Sequence, residues 1–288
     1  MITISILGNR GRLGNALFQY AAAKSLAIYH NVPLKLNPNI FNNIHDGQQC
    51  LLKYFKIPLN FLDNSDKITN RYEEIAYKSY PFEVKLEKFF NQPIGTEIIE
   101  GHFTQENWFK HCKDIIKTDL QLIDEINIIA DNYLNNIRNM YLNNIQVIAI
   151  HIRRGDCAEK LTNSDPDNNE LKKFIINAVN SFNDITNKCF VVFTGGSLSN
   201  NNTEDIEWCK NNLLPIINNN TPIIFSNNSS IVDFAILTKC DHIIITQMSS
   251  FVWWAAYLNN SENKKIISRK QFTFGEMNWP DYSNYILL

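Results

Sequence analysis

Between residues 145 and 270 the chain alternates short apolar, β-branched runs with segments whose apolar residues recur at helical spacing. The runs begin at residues 145, 188, 222 and 241, and a helix-like segment follows each of them. Strands that alternate with helices in this way build βαβ units and a parallel sheet with helices on both faces. This half of the chain is therefore predicted to be a doubly wound, Rossmann-like α/β unit.

The first half of the chain has a less regular pattern. Residues 1–7 predict a short strand, and after a glycine-rich turn residues 15–31 predict a helix that is apolar on nearly every face and therefore buried. Residues 97–109 predict a strand that leads into an aromatic loop, and residues 115–144 predict one long helix from their apolar spacing. Between residues 33 and 100, short apolar runs broken by Pro, Asn and Asp predict no ordered set of elements.

The change of rhythm before residue 145 predicts two domains, residues 1–143 and residues 144–288. The length of 288 residues allows two modest domains, and 44% hydrophobic and 12% aromatic residues suffice for their cores. The six cysteines are scattered without metal-ligand spacing, and we expect them to be reduced, mostly buried thiols.

Charge and hydropathy argue against two kinds of partner. The net charge of −2 lacks the basic footprint of a dedicated nucleic-acid binder. No apolar stretch reaches membrane-spanning length, and the N-terminal apolar run is short and lacks the basic region of a signal peptide. We therefore expect no nucleic acid, no stable membrane insertion and a cytoplasmic location.

The glycines mark one edge of the predicted sheets. Any one of them is explained by ordinary turn chemistry, but their clustering just past the ends of strands favours a ligand site, because ligands bind there in parallel sheets. Six of the ten lie in such places: Gly8, Gly11, Gly14, Gly155, Gly195 and Gly196.

The segment "HIRRGD" ends a predicted buried strand with two arginines. Because side chains alternate along a strand, Arg153 and Arg154 should point to opposite sides. One can face the ligand crevice and bind phosphate through its planar fork, while the other pairs with a carboxylate such as Asp156. The alternative, a surface arginine pair in a salt bridge, is the better interpretation of the dipeptide taken alone.

Two later positions fit a nucleotide ligand. Ser249 and Ser250 open the last predicted helix of this block, where unpaired N–H groups and hydroxyls make a phosphate seat. Asp233, in the preceding helix, could accept hydrogen bonds from the N1–H and exocyclic amine of guanine. The simpler alternatives are a plain serine N-cap and a solvent-facing helix acid, and Trp253 and Trp254 are expected to be core anchors.

With these segments in place, the chain resembles the fucosyltransferases. "HIRRGD" resembles the His-x-Arg-Arg-x-Asp signature shared by α1,2-, α1,6- and protein O-fucosyltransferases, and "GRLGNALFQYAAAKSLA" resembles the N-terminal segment of bacterial α1,2-fucosyltransferases. The segments "IEGHFTQENWF", "EWCKNNL" and "SSFVWWAAYLN" resemble their later blocks in the same order. Each motif alone is weak, but the ordered set, from about residue 8 to residue 260, is specific.

This resemblance implies a GT-B glycosyltransferase, with two Rossmann-like domains facing across a cleft. It implies GDP-fucose as the donor, held mainly by residues 144–288, with residues 1–143 as the acceptor-side domain. It also implies inversion at the anomeric carbon, no cofactor and no catalytic metal. The acceptor it favours is a galactose-terminated oligosaccharide, fucosylated on the 2-hydroxyl.

Carried over to this sequence, the resemblance also implies roles for individual residues. Arg153 would contact the β-phosphate, His151 and Asp156 would hold the shape of the motif, and Asp233 would read guanine. The resemblance further implies substrate contacts by Arg12, Ser249, Ser250 and Phe251, and the further predicted substrate contacts are those of Gly14, Arg154 and Gly195.

A smaller set of residues is predicted to take part in the chemistry itself. Asn15, with Arg12, would approach the diphosphate and fucose from the N-terminal domain. Asp156 and Glu159 are the carboxylates nearest in sequence to the arginines, although neither is established as a general base. The catalytic set is therefore Arg153, Asp156, Glu159 and Asn15.

The sequence departs from the family pattern in places that bear on fine specificity. "FTGG" stands where the family often has an acidic residue, Ala16 stands where a glutamine is usual, and "SLSNNNTED" looks like an insertion. A ribose or base contact could therefore come from the backbone here.

Several alternatives stay open. "DPD" at 165–167 has the Asp-x-Asp form of metal-dependent glycosyltransferases, but its Asn- and Pro-rich setting favours a turn. Another linkage, α1,6 or protein O-linked, and a GT-B-like protein that binds nucleotide or glycan without turnover are further candidates. A Rossmann dehydrogenase is disfavoured, because "GNRGRLGN" is not Gly-x-Gly-x-x-Gly and no ribose-binding acid follows at the expected distance.

Overall fold

The computed structural model divides the chain into two compact units, one comprising Met1–Ile123 and the other the residues from Asp124 onward. Each unit is described by itself. The structure describes residues 1–74, 86–141, 144–155, 165, 167–195, 203–217, 220–269 and 285–288.

The first unit is built on a parallel sheet with the strand order β2-β1-β6-β5. A separate two-residue antiparallel hairpin, β3–β4, lies outside this sheet. The elements are β1 (Ile2–Ile4), α1 (Leu13–Tyr29), β2 (Leu34–Leu36), β3 (Ile44–His45), β4 (Gln48–Gln49), β5 (Asn70–Glu73), α2 (Leu86–Phe90), β6 (Thr96–Glu100) and α3 (Lys113–Asp119), with short 3-10 turns at Ile40–Asn42, Leu51–Tyr54, Glu106–Trp108 and Lys110–Cys112.

Helix α1 is the central helix of the first unit, and its burial confirms the prediction from its sequence. It is apolar on nearly every face, and its two buried hydroxyls are each paired. Ser25 Oγ donates to the Trp108 carbonyl at 2.6 Å, and Tyr20 Oη donates to Asp119 Oδ2 at 2.8 Å. These bonds fix the aromatic segment after β6 and helix α3 against α1, since a buried hydroxyl without a partner would be costly.

The single long helix predicted over residues 115–144 is wrong. The structure has two helices there, because the chain between them pairs with the segment around Tyr54. Ile123 N donates to the Tyr54 carbonyl and Lys56 N donates to the Gln121 carbonyl, at 2.9 and 2.8 Å. A local apolar period does not reveal these long-range backbone bonds, which interrupt the helix.

The second unit contains a parallel sheet with the order β12-β11-β10-β7-β8-β9. Strands β7 and β8 are buried along almost their whole length, as is typical of parallel strands covered on both faces. The elements are α4 (Asp124–Met140), β7 (Gln146–Arg153), α5 (Asn169–Asn180), β8 (Lys188–Gly195), α6 (Thr203–Leu213), β9 (Ile223–Phe225), α7 (Ser230–Leu237), β10 (His242–Ile245), α8 (Ser250–Leu258), β11 (Ile266–Ser268) and β12 (Tyr285–Leu287).

Helix α4 determines where the compact units divide. Its buried residues Ile126, Ala130, Leu134 and Ile137 form one stripe at helical spacing, and the helix packs against α7. The units therefore divide after Ile123, earlier in the chain than the predicted boundary at residues 143–144. The predicted domain roles stay a proposal.

Two further sequence expectations concern cysteines and membranes. The five described cysteines are free and buried, as expected: Cys50, Cys112, Cys189, Cys209 and Cys240. None of the helices in the described ranges is long and apolar enough to cross a membrane.

Candidate active site

The strand order of the second unit reverses between β7 and β10. From β7 the chain proceeds outward through β8 and β9, and then returns to place β10 on the other side of β7. In open parallel sheets, ligands bind outside the carboxyl ends of the strands at such a switch point. Arg153 ends β7 at this point, and Met248 to Ser250 connect β10 to α8.

Arg153 is anchored at the start of helix α8. Its Nη1 donates to the Met248 carbonyl at 2.9 Å. The guanidinium is thereby held near the first turn of α8, where the helix presents N–H groups and the positive end of its dipole. A charged fork and a helix N-terminus together form an arrangement suited to phosphate oxygens.

His151 lies two residues before Arg153 and so faces the same side of β7. Its ring is buried and stacks on Phe251 of α8, with centroids 6.0 Å apart and planes at 29°. Burial, and secondarily the charge of Arg153, lowers the pKa of His151 to about 3. The imidazole is therefore uncharged at neutral pH, and it contributes shape rather than positive charge.

The strand β7 is tied to the segment after β10 by its backbone as well. The His151 carbonyl accepts from both Thr246 N and Thr246 Oγ1, at 3.2 and 2.9 Å. Ser249 is the N-cap of α8, with extended backbone, and its side chain makes no capping bond to the helix. Trp253 and Trp254 are fully buried, which confirms them as core anchors.

Arg154 points to the opposite side of the strand, as predicted from the alternation. Its Nε lies 3.2 Å from Asp205 Oδ1, and its guanidinium carbon lies 3.9 Å from the centre of the Trp208 ring. Asp205 and Trp208 belong to α6, so this arginine fixes that helix to the end of β7. The expected carboxylate pairing is present with Asp205 as a partner, and a substrate contact by Arg154 stays a prediction.

Gly195 ends β8 directly beside Arg153. The two residues are register partners in the β7–β8 ladder, and Gly195 has a φ of +127°. That backbone conformation is strained for any residue with a side chain, so the chain can turn away here only at a glycine.

Asp233 lies in the first turn of α7 and is buried, so the alternative of a solvent-facing acid is wrong. Its Oδ1 accepts from Ser226 Oγ at 2.5 Å and from Asn228 Nδ2 at 3.4 Å. Burial raises the pKa of Asp233 to about 7, although these two hydrogen bonds oppose the shift. The sequence did not reveal Ser226 and Asn228 as partners, since they lie in the loop after β9.

The predicted residues of the first unit lie around the N-terminus of α1. Arg12 is the N-cap, while Gly14 and Asn15 lie in the first turn. Gly11 has a φ of +95°, and a Cβ added to it would lie 2.2 Å from Asn15 Nδ2. A small, open pocket adjoins this turn and is lined by Gly8, Gly11, Arg12, Leu13, Ala16, Gln48, Gln49, Cys50 and Leu51.

Gln19 is a structural residue of this region that the sequence did not single out. Its Nε2 donates to the Arg10 carbonyl at 2.9 Å and to the Gly101 carbonyl at 3.1 Å. These carbonyls belong to the loops that follow β1 and β6, so one buried amide joins two loops at the carboxyl edge of the sheet. Its position in the "LFQY" segment was the available signal.

Two predicted carboxylates, Asp156 and Glu159, lie outside the described residues. Asp165 of the "DPD" segment is described, and its oxygens accept from Asn169 N and Leu171 N at 2.8 and 3.2 Å. It therefore caps α5, which favours the turn interpretation over a metal ligand. Within the described ranges, no three or more His, Cys, Asp or Glu side chains gather in a way that could hold a metal ion.

Comparison with solved structures finds this fold in fucosyltransferases. NodZ α1,6-fucosyltransferase soaked with GDP-fucose matches with a TM-score of 0.54 and 14% identity, covering 93% of this chain and 94% of that one. POFUT1 in complex with GDP matches with a TM-score of 0.57 and 12% identity, covering 94% and 98%. The chain has the GT-B fold class of glycosyltransferases, as predicted.

Sequence comparisons then specify the family. Galactoside α-(1,2)-fucosyltransferase 2 of Sus scrofa is 24% identical over 258 residues, covering 88% of this chain and 68% of that protein. The α-1,2-colitosyltransferase of Escherichia coli is 25% identical over 266 residues, covering 87% and 86%. The model of glycosyl transferase family 11 matches residues 7–279, and the chain belongs to that family.

Proposed function

We propose that this protein transfers L-fucose from GDP-fucose to the 2-hydroxyl of a terminal galactose on an oligosaccharide, with inversion and without a cofactor or catalytic metal. Residues 144–288 hold the donor and residues 1–143 form the acceptor side. The observation that carries this proposal is the anchoring of Arg153 on the Met248 carbonyl, at the start of α8 and at the switch point of the sheet.

The chemistry explains why such an arrangement is useful. When the bond between fucose and phosphate breaks, its electron pair goes to the β-phosphate oxygen and negative charge grows on GDP. Arg153 and the N–H groups of α8, with the hydroxyls of Ser249 and Ser250, stabilise that charge where it develops. These fixed donors take the place of a divalent cation.

Asp233 gives the donor site its preference for guanine. The two hydrogen bonds that its side chain accepts from described residues both fall on Oδ1. Its second oxygen can accept from guanine, which presents N1–H and the exocyclic amine, whereas adenine presents an acceptor at N1. An unpaired buried carboxylate is costly, so nucleotides without these donors are rejected.

The linkage rests on the relatives. The porcine fucosyltransferase and the bacterial colitosyltransferase carry different sugars in their names but the same α1,2 linkage. Arg12 and Asn15 lie at the N-terminus of α1, beside a glycine-rich turn in which Gly11 leaves room for the Asn15 side chain. We assign these two residues to the sugar and diphosphate.

A transfer assay tests the proposal directly. Purified protein is incubated with GDP-fucose and a panel of glycans that end in galactose, and the products are read by mass and linkage analysis. We expect an α1,2-fucosylated product and inhibition by GDP but not by ADP or UDP. Release of GDP without transfer to any acceptor would instead favour a hydrolase, and donor binding with no release of GDP would favour a non-catalytic binder. An α1,6 or protein-linked product would overturn the linkage.

A second candidate differs only in the donor sugar. The match with the colitosyltransferase covers 87% of this chain and 86% of that protein, whereas the match with the porcine protein covers 88% and 68%. Colitose lacks the 3-hydroxyl that fucose carries, so a site for it has no partner for that group. Competition between GDP-fucose and GDP-colitose in one reaction, read by product mass, separates the two donors.

A further inference from the structure

Asp233 is held by two polar side chains from the loop that connects β9 to α7. Ser226 Oγ lies 2.5 Å from Asp233 Oδ1, and Asn228 Nδ2 lies 2.8 Å from Ser226 Oγ and 3.4 Å from Asp233 Oδ1. Ser226 and Asp233 are 2% and 6% exposed, and Asn228 is half-buried. These three residues therefore form a closed polar triangle, largely removed from solvent, in which each side chain contacts the other two.

The backbone fixes this triangle to the sheet on one side and to helix α7 on the other. Ser226 follows β9 directly, and its N–H donates to the Val192 carbonyl of β8 at 2.9 Å. Asp233 N donates to the Ser229 carbonyl at 2.9 Å, within the first turn of the helix. The three side chains are thus attached to ordered main chain, which limits the movement of the Asp233 carboxyl before any ligand arrives.

Aromatic side chains connect the triangle to the start of α8, where Arg153 is anchored. Phe234, the neighbour of Asp233, contacts Phe251 edge-on, with ring centroids 5.3 Å apart. Phe251 in turn stacks on His151 of β7. Helices α7 and α8 therefore pack together on one side of the sheet, and the triangle lies at the same carboxyl edge as the predicted diphosphate seat.

The direction of each hydrogen bond in the triangle follows from the groups involved. The Asn228 amide nitrogen only donates, so Ser226 Oγ accepts from it. A serine hydroxyl carries one hydrogen, which Ser226 therefore directs to Asp233 Oδ1. Oδ1 thus accepts from two donors, whereas no described residue donates to Oδ2. The triangle distinguishes the two carboxylate oxygens, and Oδ2 is the one left for a ligand.

We propose that Ser226 and Asn228 are positioning residues that determine nucleotide specificity, because they bind Asp233 Oδ1 and leave Oδ2 to accept from the N1–H or the exocyclic amine of guanine. This inference rests on the proposed use of GDP-fucose as the donor. Donors on Oδ1 also favour the ionised carboxyl, which is the form that accepts from guanine. A proton on Oδ2 would instead meet the hydrogen of guanine N1.

The charge state of Asp233 depends on the same contacts. Burial raises the pKa of Asp233 to about 7, and the hydrogen bonds from Ser226 and Asn228 oppose that shift. Tyr133 of α4 and Cys240 after α7 are the titratable groups among the described residues in electrostatic contact with Asp233. Burial raises the pKa of both, that of Tyr133 to about 12, so neither is charged at pH 7. Hydrogen bonds, rather than a neighbouring charge, therefore favour the ionised carboxyl.

The central test compares the affinities of GDP and ADP, measured by titration calorimetry with competition for the weaker nucleotide. ADP carries the same ribose and diphosphate, so a change in the ratio of the two affinities belongs to the base. In Ser226→Ala we expect GDP affinity to fall about tenfold or more, with ADP affinity unchanged. Ser226→Thr keeps the hydroxyl and should retain most of the preference for GDP.

Ser268→Ala is the matched control for Ser226→Ala. Ser268 is also a buried serine at the carboxyl end of a strand in the same sheet, and its hydroxyl has no partner among the described residues. We expect its removal to leave the ratio of GDP to ADP affinity unchanged. The same ratio in the unaltered protein, Ser226→Ala and Asn228→Ala would overturn the proposal.

A double-mutant cycle separates positioning from a direct contact between Ser226 and the nucleotide. In the Asp233→Ala background, Ser226→Ala should have no further effect on GDP affinity, because the carboxyl that it orients is gone. Asn228→Ala should lower the preference for GDP in the same direction but by less, since its bond to Oδ1 is the longer one at 3.4 Å. Full additivity of Ser226→Ala and Asp233→Ala would overturn the proposal.

The pH dependence of the same ratio gives a measurement that a merely structural role would not move. For the unaltered protein we expect the preference for GDP over ADP to fall as the pH drops through about 7, because the protonated Asp233 carboxyl no longer accepts from guanine. Ser226→Ala should move this fall to higher pH, since the hydrogen bond from Ser226 lowers the pKa of Asp233. A fall that neither Ser226→Ala nor Asn228→Ala moves would overturn the proposal, even if one of the two variants folded poorly.

The same experiments separate this inference from the proposed function. If the unaltered protein neither transfers fucose nor binds GDP in preference to ADP, the proposed function fails and the role of the triangle with it. If it transfers fucose and binds GDP selectively, while Ser226→Ala and Asn228→Ala keep that selectivity, only the positioning role fails. Thermal melting of each variant confirms that the fold is intact.

Discussion

The two sheets present contrasting chemistry at the same kind of edge. In the second unit, a strand-end arginine beside a helix N-terminus is backed by a buried histidine that carries no charge. In the first unit, the corresponding edge carries an arginine paired with a carboxylate, with Arg10 Nε 3.5 Å from Glu100 Oε2. A strand-end arginine beside a helix N-terminus suits a fixed anion such as a diphosphate, whereas an arginine already paired with a carboxylate is less available to one.

The largest effect is expected when the positive charge of Arg153 is removed from the carboxyl edge of the sheet in the second unit. Arg153→Ala should lower transfer a hundredfold or more, about 3–4 kcal/mol of transition-state stabilisation, while thermal melting stays nearly unchanged. Arg153→Lys should also fail, because a point charge does not reproduce the planar fork. Steady-state rates and a melting curve measure both, and near-normal activity of the lysine variant would contradict the bidentate contact.

The two neighbouring arginines should separate activity from stability. Arg154→Ala leaves Asp205 buried without its cation and removes the stacking on Trp208, so we expect a loss of about 2–4 kcal/mol in the free energy of unfolding. Urea unfolding compared between Arg153→Ala and Arg154→Ala measures the contrast. Equal losses of stability in the two variants would show that the two sides of β7 are not specialised in this way.

Removal of the Asp233 carboxyl should reduce the preference of the second unit for guanine nucleotides. Asp233→Ala should weaken GDP binding and reduce the difference in affinity between GDP and ADP. Titration calorimetry measures both affinities. If the variant binds GDP as tightly as the unaltered protein, backbone groups, for instance around Gly195, must read guanine instead.

The same carboxyl predicts a pH effect on stability. Its folded pKa of about 7 exceeds the ordinary 3.8, so the folded state binds the extra proton between these values. The contribution to stability is fully present below 3.8 and is lost as pH rises through about 7. Asp233→Asn should therefore raise the melting temperature at pH 8 relative to the unaltered protein and change it less at pH 5.

The smallest expected effect is that of a chelator. In the proposed mechanism, fixed donors at the carboxyl edge of the sheet in the second unit stabilise the leaving diphosphate, so we expect transfer to survive excess EDTA unchanged. A loss of activity that Mn²⁺ restores would contradict this and would direct attention to Asp165 and Asp167.

The elements of the second unit were easier to predict from the sequence than those of the first. The strands of the second unit were predicted because buried parallel strands are continuous apolar runs. The β3–β4 hairpin has two-residue strands, which are too short for any period to show. The break before α4 and the pairing of Arg154 with Asp205 depend on distant segments, and local pattern carries no information about them.

The hydrogen bond from Arg153 to the Met248 carbonyl has a consequence for how the protein tolerates change. An arginine side chain carries about 2 kcal/mol of rotamer entropy, and part of that loss is already incurred in the folded protein before any ligand arrives. The acceptor is a main-chain oxygen, which every amino acid possesses. Residue 248 can therefore be substituted while the Arg153 guanidinium keeps its hydrogen bond to the main chain, so variation at this position is compatible with constant function.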